Sequence, residues 1–184
     1  MLRPAVFLDR DGTLNVERSF ITDPGDLHLL PGVHIALREL RLAGFVCVVV
    51  TNQSAVGRGL MTHGELASVQ EELVRQLGSL GAALDGIYAC TATPAADGEP
   101  EHPERKPAPG LLLRAAQELQ LDLARSWMIG DSMRDIQAGQ NAGCRGCILV
   151  RSGHPVDELQ HVLAEPFAIA EDLLSAARLI LATP

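Results

Sequence analysis

Aromatic residues are scarce in this chain of 184: one Trp, one Tyr and four Phe, 3% of the total. Leu, Val, Ile and Ala must therefore fill its core. Long apolar runs are missing too; none approaches the roughly 18 residues that a membrane helix needs. No charged-then-apolar leader precedes the first apolar segment, so a secretory signal is not expected and the expected location is the cytoplasm. Positive charge is in deficit, the formal net charge being −8, which argues against nucleic acid as the main partner. A small phosphate ester, which needs only local positive charge, is not excluded. Cysteines number four, Cys47, Cys90, Cys144 and Cys147, and read as free thiols. Cys144 and Cys147 have a redox or metal spacing, but no second pair accompanies them, and both read as inert. The six histidines form no ligand cluster. Repeats and linkers are absent, and residues 1–184 read as a single domain.

What is present is organised around Asp9-Arg10-Asp11-Gly12-Thr13. The apolar run Ala5-Val6-Phe7-Leu8 ahead of it reads as a buried strand. Two carboxylates then stand two residues apart at its end, and Gly12 lets the chain turn away. Like charges buried side by side are costly unless a cation joins them, so the stretch predicts a hard divalent cation. Asn15 to Gly25 is polar and leaves directly from the pair, as a floppy connection or a flap over a site.

Further along, Pro31-Gly32 opens a helix that ends at Gly44, and Phe45 to Val50 is a second strand, apolar throughout. It leads into Thr51-Asn52-Gln53-Ser54 and a segment in which Gly57 and Gly59 flank Arg58. Thr62 and Glu65 make a capping box for the next helix. Ile87 to Ala89 is a third strand, followed by the Pro-rich loop Thr91 to Glu104 and by Arg105-Lys106-Pro107. Pro107 and Pro109 suit the first turn of a helix. Trp127 to Ile129 and Cys147 to Val150 are further strands, with Gly130-Asp131 and a helix between them. Two helices, Val156 to Leu163 and Ala170 to Leu181, flank a short edge strand at Phe167 to Ile169. The alternation predicts a parallel sheet with helices on both faces.

Ligands of such sheets sit beyond the carboxyl ends of the strands. Asp9, Asp11, Thr51, Asn52, Lys106 and Asp131 all fall there. Asp9, Asp11 and Asp131 can hold Mg²⁺, with Asp135 one turn on as a further ligand or an outer partner. Thr51 and Asn52 offer a hydroxyl and a backbone N–H to phosphate, and Lys106 is a point charge beside it. None of the strand ends carries an obvious Ser, Cys or His nucleophile, but an aspartate can attack phosphorus. The second aspartate then serves as acid and base. A receiver-like signalling module also combines Mg²⁺, a phosphorylated Asp, a Thr and a Lys. It needs no acid/base two residues after the nucleophile, and its acidic pair precedes the phosphorylated strand.

Asp9-Arg10-Asp11-Gly12-Thr13, Thr51-Asn52-Gln53-Ser54, Arg105-Lys106-Pro107 and Gly130-Asp131 with Asp135 resemble the four motifs of the haloacid dehalogenase superfamily. The chain is most similar to its small sugar-phosphate phosphatases, the heptose 1,7-bisphosphate 7-phosphatase and histidinol-phosphatase branch; Arg58-Gly59 and Val150-Arg151-Ser152-Gly153 add to the likeness. The resemblance implies a capless three-layer α/β/α Rossmann-like sandwich with a mainly parallel sheet. It implies Asp9 as nucleophile and Asp11 as acid/base. Mg²⁺ would be held by Asp9, the backbone carbonyl of Asp11, and Asp131. Thr51, Asn52 and Lys106 would bind the phosphoryl group, and Arg58 and Arg105 the remote end of the substrate, such as a second phosphate. The implied reaction removes the 7-phosphate of heptose 1,7-bisphosphate, with histidinol phosphate or another small ester as the alternative. That branch usually holds a structural zinc with Cys-x-His and Cys-x-Cys. Here the matching positions are Cys90, Ala92, His102 and Glu104, so tetrahedral zinc is not expected. The loop is then held by its prolines and packing, or is mobile. Nothing demands more than a monomer.

Overall fold

The structure, a computed structural model, describes residues 2–153 and 165–184. Six parallel strands run in the order β3-β2-β1-β4-β5-β6. They are β1 (Ala5–Leu8), β2 (Val46–Asn52), β3 (Gly86–Cys90), β4 (Trp127–Gly130), β5 (Gly146–Val150) and β6 (Ala168–Ala170). The α-helices are α1 (Val33–Leu42), α2 (Ser54–Gly57), α3 (His63–Ser79), α4 (Gly110–Leu119), α5 (Met133–Ala142) and α6 (Leu173–Ala182).

Successive strand residues point to opposite faces of a sheet, and this sheet buries both. Val6 and Leu8 of β1 join Cys47 and Val49 of β2 under α1, α3 and α6. Ala5 and Phe7 join Val46, Val48 and Val50 under α4 and α5. Continuous apolar runs, rather than alternating ones, follow directly from that two-sided cover. The helices supply stripes at helical spacing: Val33, Ala36, Leu37 and Leu40 on α1, and Leu66, Val69, Leu73 and Leu77 on α3. The Thr62 and Glu65 capping box closes reciprocally, with Glu65 N donating to Thr62 Oγ1 at 3.2 Å and Thr62 N to Glu65 Oε2 at 2.6 Å.

From β1 the chain winds outward to β3, then crosses back to β4 on the other side of β1. The helices change face at that reversal, which keeps the crossovers in their usual hand. The β1–β4 boundary is therefore the switch point, and the crevice beyond it is where such a sheet receives a ligand. Asp9 follows β1 and Asp131 follows β4, and Asp9 N donates to Ile129 O at 3.0 Å.

Boundaries shift modestly from the sequence reading. β2 runs on through Thr51 and Asn52, and Ser54–Gly57, to which the sequence reading gave no element, is a short helix. α4 starts at Gly110, with Pro109 at its N-cap, and α6 at Leu173 behind the Asp172 cap. The edge strand is present as Ala168–Ala170, parallel to β5. The helix expected at 156–163 lies outside the described residues.

Candidate active site

Asp9, Asp131 and Asp135, all buried, each bring one carboxylate oxygen within 4.8 Å of the others. Lys106, 3% exposed, reaches into the same group from the segment between β3 and α4. Its Nζ lies 2.6 Å from Asp9 Oδ1, 2.6 Å from Asp135 Oδ1 and 2.8 Å from Val50 O. Two of the three carboxylates, Asp9 and Asp135, thus share one ammonium. Burial beside Asp135, Asp131 and Asp11 pushes the Asp9 carboxyl far up, although Lys106 opposes it. Burial also works against the Lys106 charge, yet Asp135 and Asp9 win and hold its pKa above the ordinary lysine value.

The Asp11 side chain, read from the spacing as a metal ligand, is not in this trio; its third member is Asp135, which the sequence offered as a further ligand or an outer partner. Its carboxylate folds back to the start of α5, Oδ2 accepting from Ser132 N at 3.1 Å, and this brings Oδ1 beside Lys106. The Asp11 carboxylate turns the other way. Oδ1 accepts from Arg10 Nε at 3.1 Å and Asn15 Nδ2 at 2.9 Å, and Oδ2 from Arg10 Nη2 at 2.8 Å and Gln53 Nε2 at 2.8 Å. Arg10 is wholly buried.

Asp131 is set in place by bare backbone. A Cβ on Gly12 would stand 2.1 Å from Asp131 Oδ2, and one on Gly153 would stand 1.8 Å from it. Gly12 also has φ of 79°, which L side chains rarely adopt. Ser152 Oγ donates to Gly12 O at 2.6 Å and draws the two glycine segments together.

Thr51 and Asn52 line the cleft beside Lys106. The Asn52 side chain is committed to Lys106: Oδ1 accepts from its N–H and Nδ2 donates to its C=O, both at 3.0 Å. That two-point clasp fixes the lysine across 54 residues of sequence. Arg105 also lines the cleft, but its side chain holds the loop: Nη1 donates to Ala92 O at 3.0 Å and Nε lies 3.6 Å from Glu101. Burial, with the charges of Arg134 and Arg58 nearby, lowers its pKa. Arg134 lines the cleft as well, whereas Arg58 is exposed and stands outside the lining. Glu17 to Ile21 line the cleft as well, so the polar stretch after Asn15 lies against the site.

The loop at 91–104 is tied to its surroundings at several points. Gly57 N donates to Thr91 O at 3.1 Å, and Cys90 Sγ lies 3.6 Å from His102 Nδ1. Glu104 pairs with Arg114 at 2.8 Å. Arg10, Asn15 and Gln53 entered the sequence reading only as parts of longer stretches, and Arg134 did not enter it at all. The signal that could have found Gln53 is its position two residues beyond Thr51 at a strand end.

The geometry agrees with comparison to known proteins. Residues 104–176 match the HAD-hydrolase-like family model. The D-glycero-beta-D-manno-heptose-1,7-bisphosphate 7-phosphatase of Yersinia pestis is 44% identical over 165 residues, 83% of each chain. Its counterpart in Escherichia coli K12 is 40% identical over 165 residues, 83% of this chain and 82% of that one. The crystal structure of D,D-heptose 1,7-bisphosphate phosphatase from B. bronchiseptica, complexed with magnesium and phosphate, superposes with a TM-score of 0.86 at 34% identity. That match covers 97% of this chain and 98% of the other. No helix among the described residues is long and apolar enough to cross a membrane. With the motifs, the sheet order and these relatives in agreement, the chain belongs to the phosphatases of the haloacid dehalogenase superfamily, enzymes that hydrolyse phosphate esters.

Proposed function

We propose that residues 1–184 act as a single Mg²⁺-dependent phosphatase domain that removes the 7-phosphate of heptose 1,7-bisphosphate through an aspartyl-phosphate. The observation that carries this reading is the meeting of Asp9, Asp131, Asp135 and Lys106 in one buried cluster at the switch point of the sheet. Heptose bisphosphate as substrate is supported by the names of the relatives and rests on them.

The donor set suits a hard cation: buried carboxylate oxygens with open access from the cleft. Asp9, the backbone carbonyl of Asp11, and Asp131 would hold Mg²⁺. When bound there, it would offset the carboxylate repulsion and draw charge from a phosphoryl oxygen. Everything else falls to the protein. Thr51, the Asn52 N–H and Lys106 bind the phosphoryl oxygens. The carboxylate oxygen of Asp9 attacks phosphorus, the bond from phosphorus to the ester oxygen breaks, and Asp11 passes a proton to the departing alcohol. Asp11 then takes a proton from water, which attacks phosphorus and releases Asp9 and inorganic phosphate. Arg105 and Arg134, with Arg58 nearby, supply positive charge at the cleft for a second phosphate. The test is incubation with the heptose bisphosphate in Mg²⁺. Inorganic phosphate and the 1-phosphate product are expected; loss of the 1-phosphate, or no turnover, overturns the assignment.

A further inference from the structure

Gln53 is buried between the two halves of the site, and its amide is fully spoken for. Nε2 donates to Asp11 Oδ2 at 2.8 Å and to Thr51 Oγ1 at 3.0 Å, while Oε1 accepts from Arg10 Nη2 at 3.1 Å. The amide has only one workable orientation. Flipped, it would set its carbonyl against the Asp11 carboxylate and its NH₂ against the Arg10 guanidinium. Thr51 Oγ1, accepting from Gln53, must spend its own hydrogen on another acceptor, and the residue lines the cleft. Asp11 has its remaining partners, Arg10 and Asn15, on its own segment of chain. Among the described residues, Gln53 is thus the side chain that hydrogen-bonds both the Asp11 carboxylate and Thr51.

We propose that Gln53 is a positioning residue that ties the aim of Asp11 to the phosphate-binding Thr51. The proposal rests on the reading of Asp11 as acid/base given above. In the first chemical step the Asp9–phosphorus bond forms, the phosphorus–ester oxygen bond breaks, and the Asp11 proton goes to the departing oxygen. A sugar alkoxide is strongly basic and needs that proton. p-Nitrophenolate is weakly basic and leaves without it. A side chain that aims Asp11 therefore matters far more for a sugar phosphate than for p-nitrophenyl phosphate. A side chain that merely fills space, or that serves phosphate binding alone, matters equally for both.

The experiment measures kcat/KM on p-nitrophenyl phosphate and on the heptose bisphosphate for wild type, Gln53→Leu and Asp9→Asn, with thermal melts of each. General-acid help is worth about 10²–10⁴-fold, so the ratio of aryl to sugar kcat/KM should rise at least about tenfold in Gln53→Leu. A burst of p-nitrophenol should accompany it, because the same misaimed Asp11 slows water attack on the intermediate. Gln53→Met, which keeps the length without the donor, gives the same reading should the leucine variant not fold. A ratio unchanged from wild type, with no burst, overturns the link while leaving the catalytic reading intact. Turnover surviving in Asp9→Asn would instead overturn that underlying reading.

Discussion

Gly12 offers a sharp test, because the cost of changing it divides into a part felt by the fold and a part felt by the site. In Gly12→Ala the backbone must keep φ of 79°. A left-handed conformation costs an L residue roughly 1–2 kcal/mol. At about 2–4 °C per kcal/mol for a chain of this size, the melting temperature should fall by about 2–8 °C. The new Cβ would also stand 2.1 Å from Asp131 Oδ2, where ordinary contact begins at 3.4 Å, so carboxylate and backbone must separate by about 1.3 Å. A misplacement of about 1 Å in a catalytic constellation can cost about 10²-fold in rate. Gly153→Ala presses a Cβ to 1.8 Å from the same oxygen, with no left-handed φ to maintain. It should match the rate loss without the conformational component of the stability loss. Steady-state hydrolysis as a function of Mg²⁺, with calorimetric melts, reads both parts, and the Mg²⁺ needed for half-activity should rise in each variant. A Gly12→Ala protein that is destabilised yet keeps more than a tenth of wild-type activity at ordinary Mg²⁺ would refute the claim that Asp131 must stay where these glycines put it.

Lys106→Met strips the ammonium from two buried carboxylates; breaking such a pair typically costs about 3–5 kcal/mol, so the variant should melt well below wild type, with added Mg²⁺ restoring part of the loss. An unchanged melting temperature would contradict the charge balance described for the cluster. Asp11→Asn should lose about 10²–10⁴-fold in turnover of a sugar phosphate, measured by phosphate release, and should melt below wild type because it takes the carboxylate charge from the buried Arg10. Chelation by EDTA should stop hydrolysis and Mg²⁺ should restore it, while metal analysis of the purified protein should find well under one equivalent of zinc; activity indifferent to EDTA, or stoichiometric zinc, would contradict the metal assignments.

Much of the fold was legible because local rules and packing agree. Runs such as Phe45 to Val50 are apolar on every residue, and a sheet covered on both faces requires that. Thr62 and Glu65 specify a helix start through bonds within three residues, so no distant partner was needed. Convergence of Asp9, Thr51, Lys106 and Asp131 was legible from topology, since strand ends share one edge. The side-chain directions were not. Whether Asp11 or Asp135 faces the other carboxylates depends on Arg10 and Asn15 capturing one and the start of α5 folding back the other. The sequence spacing admits either arrangement. Arg58 was drawn toward the site by its glycine neighbours, but Ser54–Gly57 closes into a helical turn and carries it outside the cleft lining. Gly153 was visible only as part of a motif, because its contact with Asp131 Oδ2 crosses 22 residues and arises from tertiary packing.

The central claim is that Asp9 captures phosphorus. Acid quench of the enzyme during turnover, borohydride reduction and peptide mass spectrometry test it directly. The account predicts conversion of Asp9 to homoserine, dependent on substrate and absent in Asp9→Asn. Labelling at another residue, or turnover with no trapped acyl phosphate under single-turnover conditions, would contradict it.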